Sequence, residues 1–135
     1  MATLFHTHLA VKKSIVKGIS GLGLKASQPK ILYYICTHEG CQQKDVAENC
    51  FLATATLSSV LPNLERKKLI RRVPDDVDKR AYKIYATEEG RKLREVIDRQ
   101  LEKTMEKAFD GFSQEEIHAF WKYLDRIHKN LSETE

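Results

Sequence analysis

Apolar positions along the chain recur at two periods, and the points where the period changes mark the element boundaries. From Leu4 to Ile19, the residues Leu4, Phe5, Leu9, Ile15, Val16 and Ile19 are spaced as on one side of a helix, which the glycines of the 18–23 stretch end. A second helix is expected to open near Ser27, Gln28 and Pro29, since proline suits a first turn. It buries Ile31, Leu32 and Ile35 and stops at Gly40. Gln42 to Asn49 reads as a short polar helix carrying Val46 and Ala47. The turn Cys50, Phe51, Leu52 follows, then a helix from about Ala53 to Lys67 with Leu57, Val60, Leu61 and Leu64 in one stripe. Two short helices joined by so tight a turn form the helix-turn-helix pattern. Pro62 removes a backbone donor inside the second helix and predicts a bend or irregularity near residues 58–62.

Beyond Leu69 the period becomes that of strands. Ile70 to Val73 runs into a turn at Pro74, Asp75 and Asp76, and Ala81 to Ala86 returns with alternation, a β-hairpin with a charged tip. Thr87 then caps a long helix to about Phe109, with Glu88 and Glu89 in its first turn where negative charge suits the helix dipole. Its apolar side carries Leu93, Val96, Ile97, Leu101 and Met105. Asp110 and Gly111 break it, and Ser113 with Glu116 forms a capping box for a last helix to about Leu131. That helix carries Ile117, Phe120, Trp121, Leu124, Ile127 and Leu131 in one stripe. The whole predicts a mainly α fold with a small β-hairpin wing, a winged helix-turn-helix.

Composition narrows the class without changing this outline. A chain of 135 residues suits one domain. It has no apolar run long enough to cross a bilayer, and residues 1–6 lack the features of a secretory signal, so a cytoplasmic protein is expected. Cys36, Cys41 and Cys50 form no CxxC pair and suggest reduced thiols rather than a disulfide framework. There is no phosphate-binding glycine motif, serine elbow or paired metal-ligand histidine on one helix, so no enzyme activity and no cofactor are expected.

The net charge of +4 matters less than its distribution. About a third of the basic residues fall between Arg66 and Lys83. A helix presenting Thr54, Thr56, Ser58, Ser59 and Asn63 can lie in a DNA major groove, where hydroxyl and amide groups bond base edges or phosphates. Arg80, at the hairpin tip, is the candidate for an adjacent minor groove, with Asp78 holding its guanidinium. Arg71, Arg72, Lys79 and Lys83 are candidate phosphate contacts. The plainer reading of these residues is a solvated helix face and an ordinary surface ion pair.

With these residues in order, the chain resembles the multiple-antibiotic-resistance regulator (MarR) family of bacterial transcription factors. The resemblance rests on Leu64 to Arg72, on Pro74 to Arg80 with its D-x-R element, and on Thr87 and Gly90 at a T-x-x-G helix start. Leu24 with Gln28 is similar to the family's approach to its second helix, so the likeness extends from about Leu4 to Leu131. It implies a single winged-helix domain over 1–135, with 24–90 as the DNA-binding region and 1–22 and 91–135 as dimerisation helices. It also implies a homodimer through intertwined terminal helices, a pseudo-palindromic operator in double-stranded DNA, and repression relieved by a ligand or oxidant. Lys68 departs from the glycine common in the family after the recognition helix, which points to a different backbone conformation at that corner.

The dimer has a basis in the residues as well. Leu4, Phe5, Leu9, Ile117, Phe120, Trp121, Leu124, Ile127 and Leu131 form stripes that one small winged domain would struggle to cover. The family's commonest signal is a small aromatic or phenolic effector bound between the dimerisation helices and the winged domain. Phe5, Tyr33 and Tyr34 are weak candidates to line such a site, and the core is the role their residue types favour. A redox-responsive member using Cys36 and Cys41 is an alternative. So are a metal-responsive member using His6, His8, His38, Glu39, His118 or His128, and a dimeric winged-helix interaction module that does not bind DNA.

Overall fold

Caps that the sequence carries, at Thr87 and Ser113, set the starts of the last two helices. The computed structural model describes residues 2–25 and 27–132; Met1 and residues 133–135, at the ends of the expected terminal segments, lie outside the described residues. The helices are α1 (Ala2–Ile19), α2 (Gln28–Thr37), α3 (Gln43–Asn49), α4 (Thr54–Arg66), α5 (Glu88–Ala108) and α6 (Gln114–Ser132), with a 3₁₀ turn at Ser20–Leu22. Strands β1 (Ile70–Pro74) and β2 (Tyr82–Ala86) pair antiparallel between α4 and α5, with Ile70 opposite Ala86 and Pro74 opposite Tyr82. The chain falls into two compact units, one up to Leu101 and one from Glu102 onward.

In the first unit the apolar stripes of α2, α3, α4 and the hairpin converge. Ile31, Leu32, Ile35, Val46, Leu57 and Leu64 are fully enclosed, and Leu61, Ile70 and Ile84 nearly so. The helix α2 ends at Thr37 rather than Gly40, because Gly40 and Cys41 leave the helix to pair with the hairpin. The Gly40 N–H donates to the Ile84 carbonyl at 2.9 Å, and the Ile84 N–H to the Cys41 carbonyl at 2.8 Å. This isolated bridge, with Cys41 opposite Ile84, has no alternating run to announce it.

Both ends of the helix-turn-helix close the same way. At the end of α3, the Leu52 N–H donates to the Ala47 carbonyl and the Phe51 N–H to the Glu48 carbonyl; at the end of α4, Leu69 donates to Leu64 and Lys68 to Glu65. These are Schellman motifs, whose pivot must adopt a left-handed conformation. The pivots are Phe51 at φ 49° and Lys68 at φ 57°. The corner at Lys68 therefore keeps the left-handed backbone that glycine favours, against the expectation of a different conformation.

At Pro62 the helix is not interrupted: α4 runs from Thr54 to Arg66 with the proline inside it. Pro62 is exposed, so its ring meets solvent rather than core.

Thr87 and Gly90 make the joint between hairpin and α5. The Thr87 hydroxyl donates to the Lys68 carbonyl at 2.6 Å and accepts the Gly90 N–H at 3.0 Å, while the Thr87 N–H donates to the Leu69 carbonyl at 3.1 Å. A Cβ at position 90 would lie 2.1 Å from the Leu69 carbonyl oxygen. The T-x-x-G spacing thus serves a close backbone crossing.

In the second unit the expected capping box forms: the Ser113 N–H donates to Glu116 at 2.8 Å, and the Glu116 N–H to the Ser113 hydroxyl at 3.2 Å. Phe109, Phe112, Phe120 and Trp121 pack edge to face or tilted at centroid separations of 5.3–5.7 Å. No residue of α6 is buried.

Candidate nucleic-acid interface

The outward face of α4 carries four small hydroxyl side chains. Thr54, Thr56, Ser58 and Ser59 are exposed, while Leu57, Val60, Leu61 and Leu64 are turned into the core. Ser58 donates to the Thr54 carbonyl at 3.1 Å and Ser59 to the Thr56 carbonyl at 2.8 Å. Their oxygens keep free acceptor capacity, and either hydroxyl can re-aim at a partner.

Asn63 is the exception among the helix candidates. Its Oδ1 accepts the side-chain amide of buried Gln28 at 2.8 Å, and Gln28 Oε1 accepts the Lys25 N–H at 2.9 Å. Position 63 lies toward α2 rather than with the hydroxyls, and its polar group is needed to satisfy a buried glutamine.

On the hairpin, Asp78, Lys79 and Arg80 are exposed. The expected pairing of Asp78 with the Arg80 guanidinium is replaced by a backbone bond: Asp78 Oδ1 accepts the Arg80 N–H at 3.0 Å. A short carboxylate two residues before a turn amide reaches it more easily than it reaches the end of a long side chain. Arg80 lines a polar groove of about 240 Å³ together with Gln42, Gln43, Lys44, Arg72 and Tyr82.

Arg71 and Arg72 are engaged within the protein. Arg71 lies over the Tyr85 ring at 4.6 Å. The Arg72 guanidinium binds Glu65 of α4 through Nε at 3.0 Å and Nη2 at 2.6 Å, and this hydrogen bonding draws the Glu65 carboxyl below its usual range. Arg72 therefore fixes the hairpin against the end of α4. Lys83 is half-buried.

Asp75 carries a role the sequence reading did not assign. It is not a charged tip: at 4% exposure it accepts the Val77 N–H at 2.8 Å, the Asp78 N–H at 3.3 Å and the Gln42 side-chain amide at 3.0 Å. The Val77 bond first, then Gln42, holds its carboxyl below the ordinary value of 3.8. Gln42 also donates its N–H to Asp45 at 2.7 Å at the start of α3, so one glutamine joins that helix to the hairpin turn. Gln43 reaches α4, donating to Ser58 at 3.3 Å. The Gln42/Asp45 spacing was the available signal for the first of these contacts.

The terminal candidates lie open. Leu4, Phe5 and Leu9 are 56–64% exposed on α1, and Phe120, Trp121, Ile127 and Leu131 are 40–72% exposed on α6. Ile117 and Leu124 are half-buried.

Within the first unit, α1, α2 and α5 line an apolar cavity of about 440 Å³, open to solvent on one side, formed by Val11, Ile15, Pro29, Tyr33, Ile97 and Leu101, with His8, Lys12 and Lys30 also on its wall. Of the three aromatic candidates only Tyr33 lines it. The core alternative fails for Tyr33 and Phe5, which are 48% and 64% exposed, while Tyr34 stacks on His38 at 4.2 Å. Desolvation pushes the Cys41 thiol up to about 11 and raises Cys36 and Cys50 as well. Among the described residues no three His, Cys, Asp or Glu side chains converge as a metal site. No helix among them is long and apolar enough to cross a membrane.

Comparison with known proteins bears on the same region. Residues 22–81 match the family model described as the MarR family. The uncharacterized HTH-type transcriptional regulator YybA of Bacillus subtilis (strain 168) is 28% identical over 118 residues, spanning 86% of this chain and 79% of that protein. The transcriptional regulator SlyA superposes at TM-score 0.81 with 29% identity, over 94% of this chain and 89% of that one. A Listeria monocytogenes protein solved in complex with 26mer DNA superposes at TM-score 0.88 over 98% of this chain and 88% of that one; at 23% identity this is a likeness of fold.

Proposed function

We propose that the chain, which matches the MarR family model over residues 22–81, is a cytoplasmic, homodimeric, sequence-specific DNA-binding repressor of that family rather than an enzyme. The observation that carries this reading is the exposed hydroxyl face of α4 beside a basic hairpin. Thr54, Thr56, Ser58 and Ser59 meet base edges in the major groove, Arg80 reaches the neighbouring minor groove, and Lys79 and Lys83 contact phosphates. Arg71 and Arg72 contribute positive potential while staying tied to Tyr85 and Glu65. Asn63 acts from behind, by fixing Gln28. The structural neighbour solved with a 26mer DNA supports the reading.

The test is binding to the DNA upstream of its own coding sequence, titrated against salt. A dimer neutralising several phosphates loses about 10³-fold in affinity between 50 and 200 mM salt. Arg80→Ala weakens operator binding and leaves the dimer intact. A binding constant indifferent to salt, or no preference over random DNA, sinks the proposal and favours the interaction-module alternative.

The cavity between α1, α2 and α5 favours a second element, release by a small aromatic or phenolic effector. The amine of Lys12, a residue of its wall, suits an acidic phenol. Thiols held protonated by burial weigh against an oxidant as the signal. Operator release is to be measured with phenolic compounds, peroxide and zinc in parallel. Release by peroxide or zinc alone overturns the phenolic reading, and a cavity occupied by a second copy of the chain would show as loss of the dimer in cavity-wall variants.

A further inference from the structure

One side chain touches both the cavity and the helix-turn-helix. Lys30 follows buried Pro29 on α2 and is one of the residues lining the cavity. Its ammonium donates to the Cys50 carbonyl and lies 5.2 Å from the centre of the Phe51 ring. In return the Cys50 thiol points at the Lys30 carbonyl, 3.9 Å away. Cys50 and Phe51 form the corner between α3 and α4, and Phe51 is its left-handed pivot at φ 49°. A bulky side chain adopts that conformation only when its surroundings hold it there. Beside the two backbone hydrogen bonds that close this turn, Lys30 contacts the corner from another helix, through both the carbonyl and the ring.

We propose that Lys30 is the positioning residue that couples occupancy of the cavity to the geometry of the recognition helix. The proposal rests on the effector reading of the cavity given above. A molecule filling the cavity presses on the lysine stem, and the stem is the tether of the ammonium. Displacing it releases the Cys50 carbonyl and the Phe51 ring together. The corner so loosened lies three residues before Thr54, where the outward face of α4 begins. By linkage the effect is reciprocal: DNA that fixes α4 keeps the ammonium in place and lowers affinity in the cavity by the same factor.

The test compares wild type with Lys30→Met, which keeps an apolar stem and loses the ammonium, and Lys30→Arg, which keeps a donor cation. The probe is 2-naphthol, read by its fluorescence. In wild type, saturating 2-naphthol weakens operator binding about tenfold. In the Lys30→Met variant 2-naphthol still binds and operator affinity no longer responds, while the Phe51 and Leu52 amides exchange with solvent faster. The Lys30→Arg variant restores coupling and protection. Coupling retained in the Lys30→Met variant, or unchanged exchange at those amides, overturns the proposal.

Failure of the effector reading alone is recognised by 2-naphthol not binding wild type. The coupling is then read with a built-in occupant, Val11→Phe, which places a ring in the cavity from α1. Weakened operator binding and faster Phe51 exchange when Val11→Phe is made in the wild-type chain, absent when it is combined with Lys30→Met, support the proposal. An equal effect in both backgrounds, or none in either, overturns it.

Discussion

Helices α4 and α6 carry nearly the same apolar rhythm and meet opposite fates. In α4 the stripe Leu57, Val60, Leu61 and Leu64 is no more than 8% exposed. In α6 the stripe running from Ile117 through Phe120, Trp121 and Leu124 to Leu131 contains no buried residue. A period of 3.6 says that a face is to be covered and nothing about what covers it. The first stripe is closed by its own unit, through the core it shares with α2, α3 and β1. The second presents aromatic rings to water within a single chain, the expected mark of a surface completed by a partner.

The largest expected effects separate these two stripes. Leu61→Ala leaves a void in the closed core and costs about 2–5 kcal/mol, at any protein concentration, in urea unfolding. Trp121→Ala acts on association instead, raising the dimer dissociation constant about tenfold or more in sedimentation equilibrium. A concentration-dependent loss at Leu61, or a Trp121 effect confined to an isolated monomer, removes the distinction. Next in size is Gly90→Ala, expected to cost about 1–3 kcal/mol as overpacking. The atom its Cβ would strike, 2.1 Å away, is the Leu69 backbone oxygen rather than a movable side chain. The exposed glycine of the second unit, Gly111, has nothing within 4 Å and lacks that steric penalty, although its φ of 83° still disfavours a side chain.

The same contrast explains what could be read from the sequence. Element order, the hairpin, the Ser113 capping box and the stripe of α4 were legible because each is a local pattern whose partners follow from spacing. The left-handed pivots were not, because Phe51 and Lys68 stand where a glycine would have announced the turn. Asp75 read as a charged tip because its partners, Gln42 and the Val77 amide, are fixed only when α3 meets the hairpin. Asn63 read as an outward polar residue for a similar reason: its claim on buried Gln28 spans 35 positions. Pro62 does not end the helix that contains it. An interior proline weakens a helix, but packing of Leu57, Val60, Leu61 and Leu64 carries α4 through it.

Lys68 gives a smaller and stabilising effect. The corner after α4 holds a side chain at φ 57°, which costs an L-residue about 1–2 kcal/mol relative to right-handed backbone. Glycine escapes that cost but is freer in the unfolded chain, so Lys68→Gly is expected to gain about 1 kcal/mol in urea unfolding. The Lys68 carbonyl that accepts Thr87 is backbone and is kept. No gain, or a loss, would mean that the lysine side chain itself supports the corner.

Acid gives the smallest effect, and it distinguishes carboxylates of the two units by what they hold. Asp75 in the closed unit and Glu115 at the start of α6 both lie below their ordinary values of 3.8 and 4.5, through backbone N–H donors first. A depressed folded value means that the contribution is fully present above the ordinary value and is lost as pH falls through the lower folded one. For Asp75 that loss frees the Val77 and Asp78 amides and Gln42 together, loosening the hairpin turn from α3. For Glu115 it frees only the first turn of an exposed helix. Hydrogen exchange followed from about pH 6 down to about pH 2.5, corrected for the intrinsic rate, is therefore expected to show Val77 and Asp78 losing protection below 3.8. Asp75→Asn, which cannot ionise, has reduced protection at those amides at the upper end of that range and a flat profile. Protection at Val77 that ignores both acid and this substitution would show that the turn is held by the strand ladder alone.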